Sequence, residues 1–119
     1  MKFTVIVNEG PFIHQASDSA LHFVKAAIET GHEVEQVFFY CDGVKNANKL
    51  SAPQSDDRNL VKLWGAVNTE HGTDLVVCVA AALRRGITDV NVAEGFRISG
   101  LGQVMQACCD SDRIVTFGD

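Results

Sequence analysis

The stretch "LVVCVAAALRRG", Leu75 to Gly86, decides how the chain folds. Its first residues are apolar without polar alternation, the pattern of a strand buried on both faces. Both faces are buried where helices cover the two sides of a parallel sheet. We read Asp74 to Val79 as that strand. Three alanines, two arginines and a glycine follow at once, so the chain passes abruptly from core to solvent with Cys78 at the boundary.

Working outward, Lys2 to Val7 reads as a buried strand ended by Asn8-Glu9-Gly10-Pro11. From Ser17 to Thr30, Ala20, Leu21, Val24, Ala27 and Ile28 fall on one helical face, with Ser17 and Asp18 as the cap and Gly31 as the stop. Glu33 to Tyr40 is a second strand. Cys41 to Ser55 is a polar loop carrying a short turn of helix. Asp56 and Asp57 open a helix that runs to His71, and Gly72 ends it. Ser99 to Cys109 has helical spacing, and Arg113 to Phe117 closes the chain as a fourth strand. Thr88 to Arg97 fits strand and loop equally. This alternation, without hairpin signals, predicts one α/β domain over residues 1–119, a doubly wound, mainly parallel sheet of flavodoxin-like topology with helices on both faces. Chemistry in such sheets gathers beyond the carboxyl ends of the strands, here the loops Asn8 to Ala16, Cys41 to Ser55 and Ala80 to Asp89.

Composition narrows the function classes. With 10 Lys and Arg against 15 Asp and Glu, the net charge of −5 does not suit direct nucleic-acid binding. The apolar run Phe3 to Val7 is too short for a signal-peptide core or a membrane span, so a cytoplasmic protein is expected. Four cysteines without Cys-x-x-Cys spacing predict reduced thiols. His14, His22, His32 and His71 lack the spacing of a metal site. Neither nucleotide-binding glycine motif is present.

Cys78 has two readings: a small hydrophobe in a core, or a nucleophile. Favouring the second are its place near the carboxyl end of a strand, the small Ala80, Ala81 and Ala82, whose amides could approach the sulfur, and the charge of Arg84 and Arg85; aimed amides and cations favour a thiolate over a thiol. Cys108 reads as core and Cys109 as its partly exposed neighbour. Cys41 opens the polar loop at the same end of the sheet, on a strand expected to flank the first strand opposite that of Cys78. His14 is a surface histidine or a base for the thiol.

Three segments carry a family resemblance: "FFYCDGVKNANKLSAPQSDDRNLVKLW" (Phe38 to Trp64), "VNTEHGTDLVVCVAAALRRGITD" (Val67 to Asp89) and "GFRISGLGQV" (Gly95 to Val104). The chain resembles the TusD/DsrE family of small sulfur-carrier subunits, and most of all its TusD branch. The resemblance implies a DsrE-like fold and a sulfurtransferase with Cys78 as the persulfide-carrying catalytic residue. It implies a place in the sulfur relay to 2-thiouridine at the tRNA wobble position, related TusB-like and TusC-like sister subunits in a heterohexamer, and protein donors and acceptors of sulfur. No metal or organic cofactor is implied, only covalent persulfide sulfur. Asp89 to Gly95 is shorter than the family pattern. Competing readings are a DsrE-like carrier in dissimilatory sulfur oxidation, a non-catalytic subunit, and a thiol-redox enzyme pairing Cys41 with Cys78.

Overall fold

The structure, a computed structural model, describes residues 1–118. Five strands and four α-helices alternate: β1 (Lys2–Val7), α1 (Ala16–Glu29), β2 (Glu33–Phe39), a 3-10 helix (Cys41–Ala47), α2 (Leu60–His71), β3 (Leu75–Cys78), α3 (Val79–Arg84), β4 (Phe96–Ser99), α4 (Leu101–Asp110) and β5 (Arg113–Phe117). All pairings between named strands are parallel, in the order β4-β3-β2-β1-β5. The class is the expected one. The order is not that of flavodoxin, because the first three crossovers all step the same way; β2 and β3 are therefore neighbours instead of flanking β1.

Side-chain alternation gives the two faces different covers. Phe39 of β2 meets Trp64 of α2 edge-on at 5.1 Å, and Phe117 of β5 meets Phe23 of α1 at 5.7 Å, so α1 and α2 share one face. Thr4 of β1 points the other way and donates to the Ala107 carbonyl of α4 at 3.2 Å. Val5, Val7, Val24, Val37, Trp64, Val67 and Val77 are fully buried between the sheet and the first two helices. Right-handed crossovers from β1 through β4 put their helices on one side, and the return from β4 to β5 puts α4 on the other.

Several expected boundaries move for local reasons. Helix α1 starts before Ser17, whose buried hydroxyl donates to the Glu9 carbonyl instead of capping, while Asp18 in the first turn holds Arg58 at 2.9 Å. Helix α2 starts at Leu60, after Asp56 and Asp57, because Asn59 caps it by accepting from the Lys62 amide at 3.2 Å. Strand β3 ends at Cys78, and the alanines expected in a loop form α3. The undecided segment 88–97 holds a turn and the start of β4, so Arg113–Phe117 is the fifth strand, not the fourth. Gly31 and Gly72 end their helices with φ of 90° and 70°, as expected for stop glycines.

Two contacts fix the ends of the sheet. At the carboxyl end, Gly43 of the 3-10 helix lies so close to β1 that a Cβ there would overlap the Val7 carbonyl. At the amino end, Arg97 of β4 grips Asp74 with Nε and Nη2, both at 2.8 Å, and Gln36 adds a bond at 3.3 Å.

Gly43→Ala should therefore destabilise the fold by about 1–3 kcal/mol, read from the urea midpoint, because backbone must move to admit the methyl group. Asp74 tests the other contact. The hydrogen bond from Arg97 holds its carboxyl below the ordinary carboxylate value, against the upward push of burial. Its contribution is complete above the unfolded value and is lost as the pH falls through the lowered folded value. Asp74→Asn should cost less than about 1 kcal/mol at neutral pH, both groups being partly in water. It should also flatten the loss of stability on acidification, as followed by denaturation at a series of pH values.

Candidate functional site

Cys78 is at once the last residue of β3 and the N-cap of α3, with φ −63° and ψ 122°. The strand form is dictated by Leu75, Val76 and Val77, all buried, and pairing extends to Cys78 itself, which lies opposite Ser99 of β4. After β3 the chain crosses to α3 on one face, whereas after β4 it crosses to α4 on the other. Adjacent strands whose continuations diverge leave a crevice at their carboxyl ends, the place where open α/β sheets bind and react. Cys78 and Ser99 are the two strand ends at that point.

The residue is only 3% exposed. The surface around it is apolar and open: Val79 is 39% exposed and Leu83 62%, Tyr40 follows β2 on the Cys78 face at 38%, and Leu101 begins α4 at 51%. The sulfur thus lies beneath a rim of apolar side chains at the carboxyl edge.

The supporting residues divide. Ala80, Ala81 and Ala82 follow Val79 in the first turn of α3, where the first amides of a helix have no acceptor within it. Ala81 and Ala82 are buried and Ala80 exposed. Arg85 does not bond to the sulfur. Its Nε donates to Asp42 Oδ1 at 2.7 Å and its Nη1 to the Ala81 carbonyl at 3.0 Å, so its charge joins α3 to the 3-10 helix. This hydrogen bond holds the Asp42 carboxyl below its ordinary value. Arg84 is exposed and makes no ion pair among the described residues.

The four cysteines are free. Cys108 is half-buried on α4, and burial, helped by neighbouring Cys109, pushes its thiol up, away from nucleophilic character. Cys109 is exposed. His14 is paired with Glu9, Nδ1 to Oε2 at 3.1 Å, in the loop after β1, with β2 between that strand and β3. Among the described residues no group of three His, Cys, Asp or Glu could hold a metal, and no helix is long and apolar enough to cross a membrane.

Sequence reasoning missed two features. Asp42 takes the charge of Arg85 from 43 residues away, which no local pattern reveals. Cys41 is exposed and has a left-handed φ of 51°, a conformation that nothing in "FFYCDG" signals for a cysteine.

Known proteins align with this chain along its whole length. The DsrE protein of Allochromatium vinosum, a candidate sulfurtransferase by its name, is 51% identical with all of both chains aligned. Sulfurtransferase TusD of Cronobacter sakazakii is 44% identical over 98% of this chain and all of its own. The alignment to the DsrE protein spans 130 positions against 119 residues here, so at least eleven of them have no counterpart in this chain. Among solved structures, the ychN protein of E. coli superposes with a TM-score of 0.87 at 19% identity, over 98% of this chain and 99% of its own, a likeness of fold. The model of the DsrE/DsrF-like family matches residues 1–117, and the chain belongs to that family.

Proposed function

We propose that the protein is a sulfurtransferase subunit that accepts sulfane sulfur as a persulfide on Cys78 and passes it to a downstream carrier. The observation that carries this reading is a cysteine at the divergence of β3 and β4 in a chain that aligns end to end with relatives named as sulfurtransferases.

The chemistry is thiol exchange with one extra sulfur. Cys78 thiolate attacks the terminal sulfur of the donor persulfide; the donor's S–S bond breaks and the donor leaves as a thiolate. The acceptor thiolate then attacks the terminal sulfur of Cys78 persulfide and Cys78 leaves as a thiolate. Oxidation state is conserved over the two steps, so neither needs a metal or an organic cofactor. The amides at the start of α3 offer hydrogen bonds to a negative sulfur, and the burial that Cys78 shares with Val76 on its own face keeps water from it.

The TusD-like resemblance supports a cytoplasmic relay to 2-thiouridine at the tRNA wobble position, in a hetero-oligomer with TusB-like and TusC-like subunits that deals with proteins and not with RNA directly. Apolar surface on the α4 side, with Leu101, Met105 and Ile114 at least half exposed, supports a life in an assembly. The higher identity to the DsrE protein favours a second reading, in which the same persulfide serves sulfur oxidation.

Cys78→Ser loaded from a persulfide donor should carry no labile sulfur at this position and deliver none to an acceptor. Delivery to the acceptor at the wild-type level by that variant contradicts the proposal. Loss of tRNA 2-thiouridine on deletion identifies the TusD-like pathway; intact thiolation with lost growth on reduced sulfur identifies the DsrE-like one.

A further inference from the structure

We infer that Cys41 is the surface port through which sulfane sulfur reaches Cys78, an inference that rests on the persulfide reading of Cys78. The difficulty it resolves is geometric: Cys78 is 3% exposed, while exchange needs a thiolate in line with the S–S bond. Cys41 is exposed and stands at the end of the adjacent strand.

Backbone geometry brings the two together. Strands β2 and β3 are parallel neighbours whose last rung is Phe39 opposite Val77. Tyr40 continues extended, with φ −127° and ψ 162°, so the path to the Cα of Cys41 prolongs the strand. One residue of stagger across a spacing near 4.8 Å places the Cα atoms of Cys41 and Cys78 about 6 Å apart, a separation that thiol exchange can span.

The left-handed φ then aims the thiol. Phe39 faces α2, so strand alternation would put Cys41 on that same face, opposite Cys78. Relative to a parallel-strand φ near −120°, the observed φ of 51° turns the residue about N–Cα by about 170° and swings Cβ to the Cys78 side. A non-glycine residue keeps this conformation only at a conformational cost. The segment is also held in place: Asp42, the next residue, binds Arg85, which binds the carbonyl of Ala81 on the helix that Cys78 caps.

The transfer balances without an oxidant. Cys41 thiolate takes the terminal sulfur of the donor persulfide and the donor leaves as a thiolate. Cys78 thiolate then attacks the terminal sulfur of Cys41 persulfide, the Cys41 S–S bond breaks, and Cys41 is regenerated as a thiolate.

Loading with glutathione persulfide, rapid quenching and mass mapping of each cysteine tests the port. In the wild type sulfur should appear on Cys41 before Cys78, and Cys78→Ser should trap it on Cys41. Cys41→Gly, which accepts the left-handed φ without strain, should keep full thermal stability yet slow the loading of Cys78 at least about tenfold. Wild-type loading of Cys78 in Cys41→Gly overturns the port and leaves Cys78 as the sulfur site. Slowed loading with no sulfur on Cys41 in Cys78→Ser also overturns it, assigning Cys41 to docking. Absence of sulfur from wild-type Cys78 removes both the port and the reading beneath it.

Discussion

Strand β3 is hydrogen-bonded to β2 along one edge and to β4 along the other, and these two ladders determine where Cys78 leaves the sheet. Four residues, all buried, are enough because neither edge is free. A parallel strand closed on both edges and covered on both faces has no surface except at its ends, so its last side chain is the first that chemistry can reach. The following crossovers diverge at this end, where open α/β sheets react, and the same closure leaves the sulfur almost covered.

That covering acts in two directions. On the proposed reading, the burial that Cys78 shares with Val76 on its own face would shield a persulfide from water and stray thiols, and would equally obstruct the protein thiolates with which it exchanges. The neighbouring strand end offers an exit because the 3-10 helix is anchored there twice. Gly43 seats it on the Val7 carbonyl, and Asp42 ties it to Arg85. Asp42 is exposed, so water screens and weakens its ion pair with Arg85. The close backbone seat therefore carries most of the positioning, and the ion pair sets which part of α3 the segment faces.

The elements whose apolar spacing is dense were legible from sequence. β1, α1 and β2 lie within a residue or two of their expected limits, since valines and phenylalanines mark the strands and Gly31 marks the helix end. α3 was not, because an alanine run has helical propensity and no amphipathic period to announce it. Strand order was not legible either: the spacing of Leu21, Val24 and Ile28 says that α1 has a buried face and is silent about which side of the sheet it covers. At the site, sequence placed Cys78 at a strand end and two arginines nearby. The partner of Arg85 and the left-handed turn at Cys41 depend on segments far apart in the chain and lay beyond it.

The unequal faces bear on assembly. Five strands at about 4.8 Å spacing make a sheet roughly 20 Å across, and one helix with its side chains is about 10 Å wide. On one face α1 and α2 together span the central strands; on the other, α4 alone lies over β1 and β2. It is pinned there by Thr4, which bonds the Ala107 carbonyl and, at 2.6 Å, the Ser111 hydroxyl. On that same face Ile114 of β5 is half exposed, and Met105 of α4 points outward. Widening the helix layer would require another long crossover, which the order β4-β3-β2-β1-β5 does not supply. Covering from another chain is the remaining way to bury that apolar surface, and it would leave the carboxyl end, with Cys41 and the rim over Cys78, open to a further partner.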